Sequence, residues 1–188
     1  MDFLIIPEEK LFFLSKKDST IEIFTYGKKP RYKKTNVITL DSYARKIKYH
    51  KDKLYYITDS GKLFEHSILN NNSKLLYQGV TILVNFVISN KSAFISTISG
   101  EIIKVNLETK NTDKIKVGSE IIEAIAFLNN DKIVVGDWKG NIFIVNRDSF
   151  QVVEKHKLKK RIIKIRSVEP NIFYTSSADF TIRKWNIE

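Results

Sequence analysis

The 188-residue chain is 43% hydrophobic and 28% charged, which excludes a disordered polypeptide and leaves room for a packed core. It has no cysteine, which excludes a disulfide frame and a thiolate metal site. Its net charge of +11 favours anionic partners (nucleic acid, an acidic protein surface or anionic lipid), set against the plainer reading of a lysine-rich composition.

The N-terminal Met1-Asp2-Phe3-Leu4-Ile5-Ile6-Pro7-Glu8-Glu9 lacks a basic region, and its apolar run is too short for a signal peptide. No stretch reaches the roughly 20 apolar residues that span a bilayer. The expectation is a soluble cytoplasmic protein, with the nucleus as an alternative if the cell is eukaryotic, and no membrane partner.

From there the chain repeats itself. Pro7-Glu8-Glu9 reads as a hairpin turn, and Ser19-Thr20-Ile21-Glu22-Ile23-Phe24 as a turn followed by an aliphatic-led strand. The same pair returns as His50-Lys51-Asp52 with Gly61-Lys62-Leu63-Phe64-Glu65-His66, and as Ser89-Asn90-Lys91 with Gly100-Glu101-Ile102-Ile103-Lys104-Val105. It returns again as Asn129-Asn130-Asp131 with Gly140-Asn141-Ile142-Phe143-Ile144-Val145, and last as Glu169-Pro170-Asn171 with Phe180-Thr181-Ile182-Arg183-Lys184-Trp185. The leading aliphatic residues 21, 63, 102, 142 and 182 are separated by 42, 39, 40 and 40 positions. Gly61, Gly100 and Gly140 fall in register, where a tight turn needs positive φ. A fourth strand closes the first four units, as in Lys74-Leu75-Leu76-Tyr77 and Gln151-Val152-Val153-Glu154.

Four antiparallel strands per 40 residues is the anatomy of a propeller blade, which buries its two apolar faces by stacking on neighbours. The expected fold is all-β: a β-propeller of about five four-stranded blades in a single domain, 1–188, with the last blade lacking its outer strand. The blades span 1–41, 42–79, 80–118, 119–158 and 159–188. With nineteen strands and no evident twentieth, the favoured reading is an incomplete or atypical ring. A partner or a second copy would complete it, and the edge at residues 181–187 would recruit a strand unless Arg183 and Lys184 protect it; the alternative is five blades that close a small ring without the strand latch.

The segment Ser177-Ala178-Asp179-Phe180-Thr181-Ile182-Arg183-Lys184-Trp185-Asn186 resembles the ending of a WD repeat, Ser-x-Asp-Gly-Thr-Ile-x-x-Trp-Asp. The other units match that family in spacing, while their Trp position holds Phe24, His66, Val105 and Val145. The resemblance implies a hydrogen-bonded tetrad of His, Ser or Thr, Asp and Trp that stiffens the blade. Ser177, Asp179 and Trp185 supply three of its parts as structural residues, and with no Gly-His dipeptide the full tetrad is absent. The resemblance also implies a binding face made of inter-blade loops and second-to-third strand turns. On it would lie Lys16, Lys17, Asp18, Tyr43, Arg45, Asp137, Trp138, Lys139, Lys159, Lys160 and Arg161.

Trp138 stands out there, a large aromatic in a short polar turn flanked by basic residues, as at interface hot spots; the plain alternative is packing over a neighbouring blade. Two basic runs stand out as well. Lys28-Lys29-Pro30-Arg31-Tyr32-Lys33-Lys34 falls in a third-to-fourth strand loop, and Lys155-His156-Lys157-Leu158-Lys159-Lys160-Arg161 in an outer strand and the loop after it. Such runs neutralise phosphates and their aromatics stack on bases, although a solvated charge run is the commoner explanation.

His50, His66 and His156 do not read as a cluster, and no nucleophile elbow or phosphate-binding glycine loop is present. The turn aspartates Asp18, Asp59, Asp137 and Asp179 stabilise tight turns without any cation. No metal, cofactor or catalytic group is expected. The leading functional reading is a non-catalytic protein-interaction scaffold within a larger assembly. The alternative is an RNA- or ribosome-associated propeller, and weaker still is a ligand-sensing or enzymatic one.

Overall fold

The computed structural model describes residues 1–27 and 31–187. It contains nineteen strands in four four-stranded sheets and one three-stranded sheet, with no helix among the described residues. Every sheet is an antiparallel meander in chain order. Ile, Val, Phe and Tyr crowd the strands, and turn formers separate them, so each hairpin closes locally. The chain divides into two compact units, Met1–Leu83 and the residues from Val84 onward.

In the first unit, β1 (Asp2–Ile6), β2 (Leu11–Lys16), β3 (Thr20–Tyr26) and β4 (Tyr32–Thr39) form one sheet. β5 (Ala44–His50), β6 (Lys53–Thr58), β7 (Lys62–Ser67) and β8 (Asn72–Gln78) form the next. Side chains alternate across each pleat, so one face of the first sheet, with Phe13, Ile21, Ile23 and Ile38, meets Ala44, Ile47, Leu54 and Tyr56 of the second. Each large side chain buried there stabilises the fold by about 1.5–3 kcal/mol. The Ser15 hydroxyl donates to the Ala44 carbonyl at 2.6 Å, and the Ile47 amide donates to the Asp2 carboxylate at 3.0 Å, joining the two sheets. Lys33 and Lys34, expected in a loop, lie on β4 instead, because that strand begins at Tyr32 and pairs it with Tyr26.

In the second unit, β9 (Leu83–Ile88, its first residue belonging to the first unit), β10 (Ser92–Thr97), β11 (Glu101–Asn106) and β12 (Thr112–Lys116) form the third sheet. β13 (Ile122–Phe127), β14 (Lys132–Asp137), β15 (Asn141–Asn146) and β16 (Val152–Lys157) form the fourth. β17 (Ile162–Glu169), β18 (Ile172–Ser177) and β19 (Ile182–Asn186) form the three-stranded fifth. Phe94 and Ile102 of the third sheet pack on Ile133, Val135, Phe143 and Val145 of the fourth. The opposite face of the fourth, with Val134, Ile142 and Ile144, packs on Ile162, Ile165 and Phe173 of the fifth.

One register rule serves every interface inside a unit. The leading aliphatic residue of the third strand (Ile21, Ile102 or Ile142) faces the sheet that follows. The next residue along that strand (Phe64 or Phe143) faces the sheet that precedes. The turn ahead of each such strand is left-handed. Gly61, Gly100 and Gly140 sit at φ 76°, 79° and 83°, and a Cβ there would lie within 2.8 Å of a backbone carbonyl oxygen. In the first and fifth repeats the same position holds Ser19 at φ 61° and Phe180 at φ 63°, where a side chain is strained.

Candidate interaction site

Trp138 follows directly on β14, whose last residue is Asp137. Asp137 was expected on the binding surface, but it is buried, and its carboxylate accepts from the Asn141 amide at 2.8 Å and the Asn141 side-chain nitrogen at 2.6 Å. It holds the turn into β15 and offers nothing to a partner. The Gly140 amide donates to the Asp137 carbonyl at 3.1 Å and tightens the same turn.

The turn so fixed carries Trp138 outward, with 42% of the residue exposed. Its backbone amide donates to the Ile121 carbonyl at 3.0 Å, and its indole nitrogen donates to the Glu123 carboxylate at 2.8 Å. The Arg161 guanidinium lies 5.5 Å from the ring centroid, in cation–π range. Lys139 is exposed and paired with Glu120, whose carboxyl that bond holds below its ordinary range. The Lys157 ammonium donates to the Lys139 carbonyl at 2.6 Å. Lys159, Lys160 and Arg161 form an exposed row in the loop before β17. That loop is pinned by the Ser177 hydroxyl, which donates to the Lys160 carbonyl at 3.2 Å, and by the Ala178 amide, which donates to the Arg161 carbonyl at 3.0 Å.

Of the expected surface residues, Trp138, Lys139, Lys159, Lys160 and Arg161 therefore share one neighbourhood in the second unit. Tyr43 and Arg45 belong to the first unit. Arg45 lies on β5 and bonds Asp59, while the half-buried Tyr43 hydroxyl meets the N-terminal amine. Of the first basic run, Lys28 and Lys29 lie outside the described residues. Arg31 and Lys33 are exposed, and Lys34 pairs with Glu22 at 3.3 Å. The second run divides by function. The Lys155 ammonium sits 5.1 Å over the Phe143 ring, His156 packs 5.1 Å from Trp185, and Lys159, Lys160 and Arg161 are consecutive exposed cations.

The three residues expected to form one hydrogen-bonded set do not join. Trp185 donates its indole hydrogen to Thr175 at 2.9 Å and stacks on Phe173 with ring centroids 5.9 Å apart. Asp179 accepts from the Thr181 hydroxyl at 2.6 Å and pairs with Arg183 at 2.9 Å, which hold its carboxyl well below the usual carboxylate range. Ser177 reaches the Lys160 carbonyl instead. The register sets Phe173 opposite Trp185 and Thr175 two positions along on the same side of the pleat, within reach of the indole, with Ser177 two positions further away. Glu120 and Glu123, which hold Lys139 and Trp138, were not anticipated; Glu120 lies just before β13 and Glu123 at its bulge between Ile122 and Ala124, and the pairing of β13 with β14 brings them near.

No family model matches the chain, and no curated protein matches it. Among solved structures, it is similar to the computationally designed Ika8 protein, with a TM-score of 0.79 and 16% identity over 95% of this chain and 56% of that one. It is also similar to the computationally designed Ika4 protein, with a TM-score of 0.71 and 16% identity over 79% of this chain and 93% of that one. The chain thus spans just over half the length of Ika8. At that identity the likeness shows the fold alone, an all-β array of antiparallel sheets.

Proposed function

We propose that the chain is a WD-type propeller module that acts as a non-catalytic scaffold, docking a protein partner on the surface around Trp138. One observation carries this reading: a tryptophan 42% exposed to solvent is nevertheless held in place, by Glu123 at its nitrogen and Arg161 on its ring. A rigid aromatic loses little freedom when it is covered, and the flanking cations favour an acidic partner surface. The Trp185–Thr175 bond and the 39–42-residue period are consistent with the WD-repeat resemblance. Capture of the tagged chain from its native lysate tests the reading; protein partners should survive nuclease treatment.

A second reading is RNA binding, in the ribosome or elsewhere. It draws on the exposed row Lys159-Lys160-Arg161 beside an exposed indole and on the net charge of +11. It predicts retention that disappears with nuclease and weakens steeply as salt rises. Indifference to both would sink it.

A further inference from the structure

The first sheet has no sheet before it in its unit and the fifth has none after it in its own, and both of those faces are open to solvent. In the first sheet, the face that should meet a preceding sheet carries Ile5, Phe12, Phe24, Tyr26 and Tyr32 around an open cleft of about 520 Å³. Phe12 occupies the position that Leu54, Ile133 and Phe173 occupy in other sheets, and all three of those are fully buried. Phe12 instead stands among rings, 5.6 Å from Phe24 and 6.3 Å from Tyr32, with Ile5 50% exposed beside it. Apolar rings do not gather on an outer face without a solvation penalty.

In the fifth sheet, the face that should meet a following sheet is equally open. Ile182 stands where Ile21, Ile102 and Ile142 stand; those three are inaccessible to solvent, and Ile182 is 76% exposed. Tyr174 occupies the place of Phe13, Phe94 and Val134, which are buried, and is itself exposed. Lys184 corresponds to Lys104, two residues past the leading aliphatic in each case. Lys104 shows what a lysine does there: its ammonium lies 6.0 Å from the Phe94 ring and 5.9 Å from the Phe150 ring.

We propose that the chain associates with itself, the outer face of the fifth sheet of one copy docking on the aromatic face of the first sheet of another. The two faces are of opposite kind at the interfaces inside each unit, one covered from before and the other from behind. Ile182 and Tyr174 then fill the cleft between Ile5, Phe12 and Phe24. Lys184 enters among aromatic rings as Lys104 does within the chain, a cation–π contact that an alien apolar peptide would not reproduce. The contact is head-to-tail, because the two surfaces are different.

This goes beyond the scaffold reading and is tested apart from it. Sedimentation equilibrium of the purified chain should give a mass above 21.9 kDa that rises with concentration. Ile5→Glu and Ile182→Glu each place a charge at a solvent-exposed position. Each alone should weaken association by more than about tenfold and leave the far-ultraviolet circular dichroism unchanged. Mixing the two variants leaves one competent face on each chain. The mixture should therefore form a two-chain species and nothing larger. A wild-type chain that stays monomeric would overturn the proposal without touching partner capture. Association insensitive to either variant, or Ile182→Glu associating as wild type while Ile5→Glu does not, would also overturn it.

Discussion

Gly136 tests the stacking of sheets most sharply. It lies on β14 facing β17, where a Cβ would come 2.5 Å from Ile162 Cγ2 and 2.6 Å from Ile162 Cβ. Carbons pack at about 3.5–4 Å, so the added methyl interpenetrates its neighbour by about 1 Å. Ile162 is β-branched and fully buried, with no free rotamer to retreat into. Overpacking of this kind costs about 1–3 kcal/mol, here toward the upper end. Alanine in a strand returns about 0.5–1 kcal/mol over glycine. Gly136→Ala should therefore destabilise the second unit by about 2 kcal/mol. Urea unfolding followed by tryptophan fluorescence reads this directly, because the only two tryptophans, Trp138 and Trp185, are both in that unit. Ile162→Ala alone should lose about 2–5 kcal/mol by leaving a cavity. Ile162→Ala removes the Cγ2 and Cγ1 contacts at 2.5 and 3.0 Å but keeps Cβ at 2.6 Å, so the double variant relieves the clash in part and should lose less than the sum. Gly136→Ala at wild-type stability, or strict additivity, would refute the close approach of β14 to β17.

Asp137 and Trp138 are neighbours with opposite roles. Asp137→Ala should lose about 2 kcal/mol, since it strips a buried carboxylate from two donors, while Trp138→Ala should stay within about 0.5 kcal/mol of wild type; the same urea curves compare them. Phe180 is fully exposed and held at φ 63°, so Phe180→Gly should raise stability by about 1 kcal/mol, measured by thermal unfolding. His66 is buried with Nδ1 2.9 Å from the Ser73 hydroxyl, and its Nε2 has no hydrogen-bond partner among the described residues. Burial depresses its pKa below 6.5, so the unfolded chain takes up the proton first as pH falls. Its contribution should be complete above pH 6.5 and lost as pH drops through that value toward the folded pKa, and His66→Asn should flatten that part of the stability profile.

The repeat was legible because its period rests on turn chemistry. Gly61, Gly100 and Gly140 can be placed from sequence alone, since no other residue takes positive φ as easily, and the structure has all three there. The three strands of the last unit were legible too: among the described residues the fifth sheet has β17, β18 and β19. The side-chain partners were not. A turn aspartate looks the same in sequence whether its carboxylate faces solvent or folds back on the next amide, and Asp137 does the second. Trp185 finds Thr175 rather than Ser177 because register, not spacing along the chain, sets the pairing. The aromatic face of the first sheet had a signal that was passed over: Ile5, Phe12 and Phe24 are apolar on the side opposite Leu4, Phe13 and Ile23, so that sheet is apolar on both faces.

The claim that the Trp138 surface binds a protein is tested most directly by comparing wild type with Trp138→Ala and Arg161→Ala in parallel captures from nuclease-treated native lysate. The account predicts a defined set of proteins retained by the wild type, lost by more than about tenfold with Trp138→Ala and reduced with Arg161→Ala, all three chains being equally folded. Retention of the same proteins in the same amounts by Trp138→Ala would contradict it.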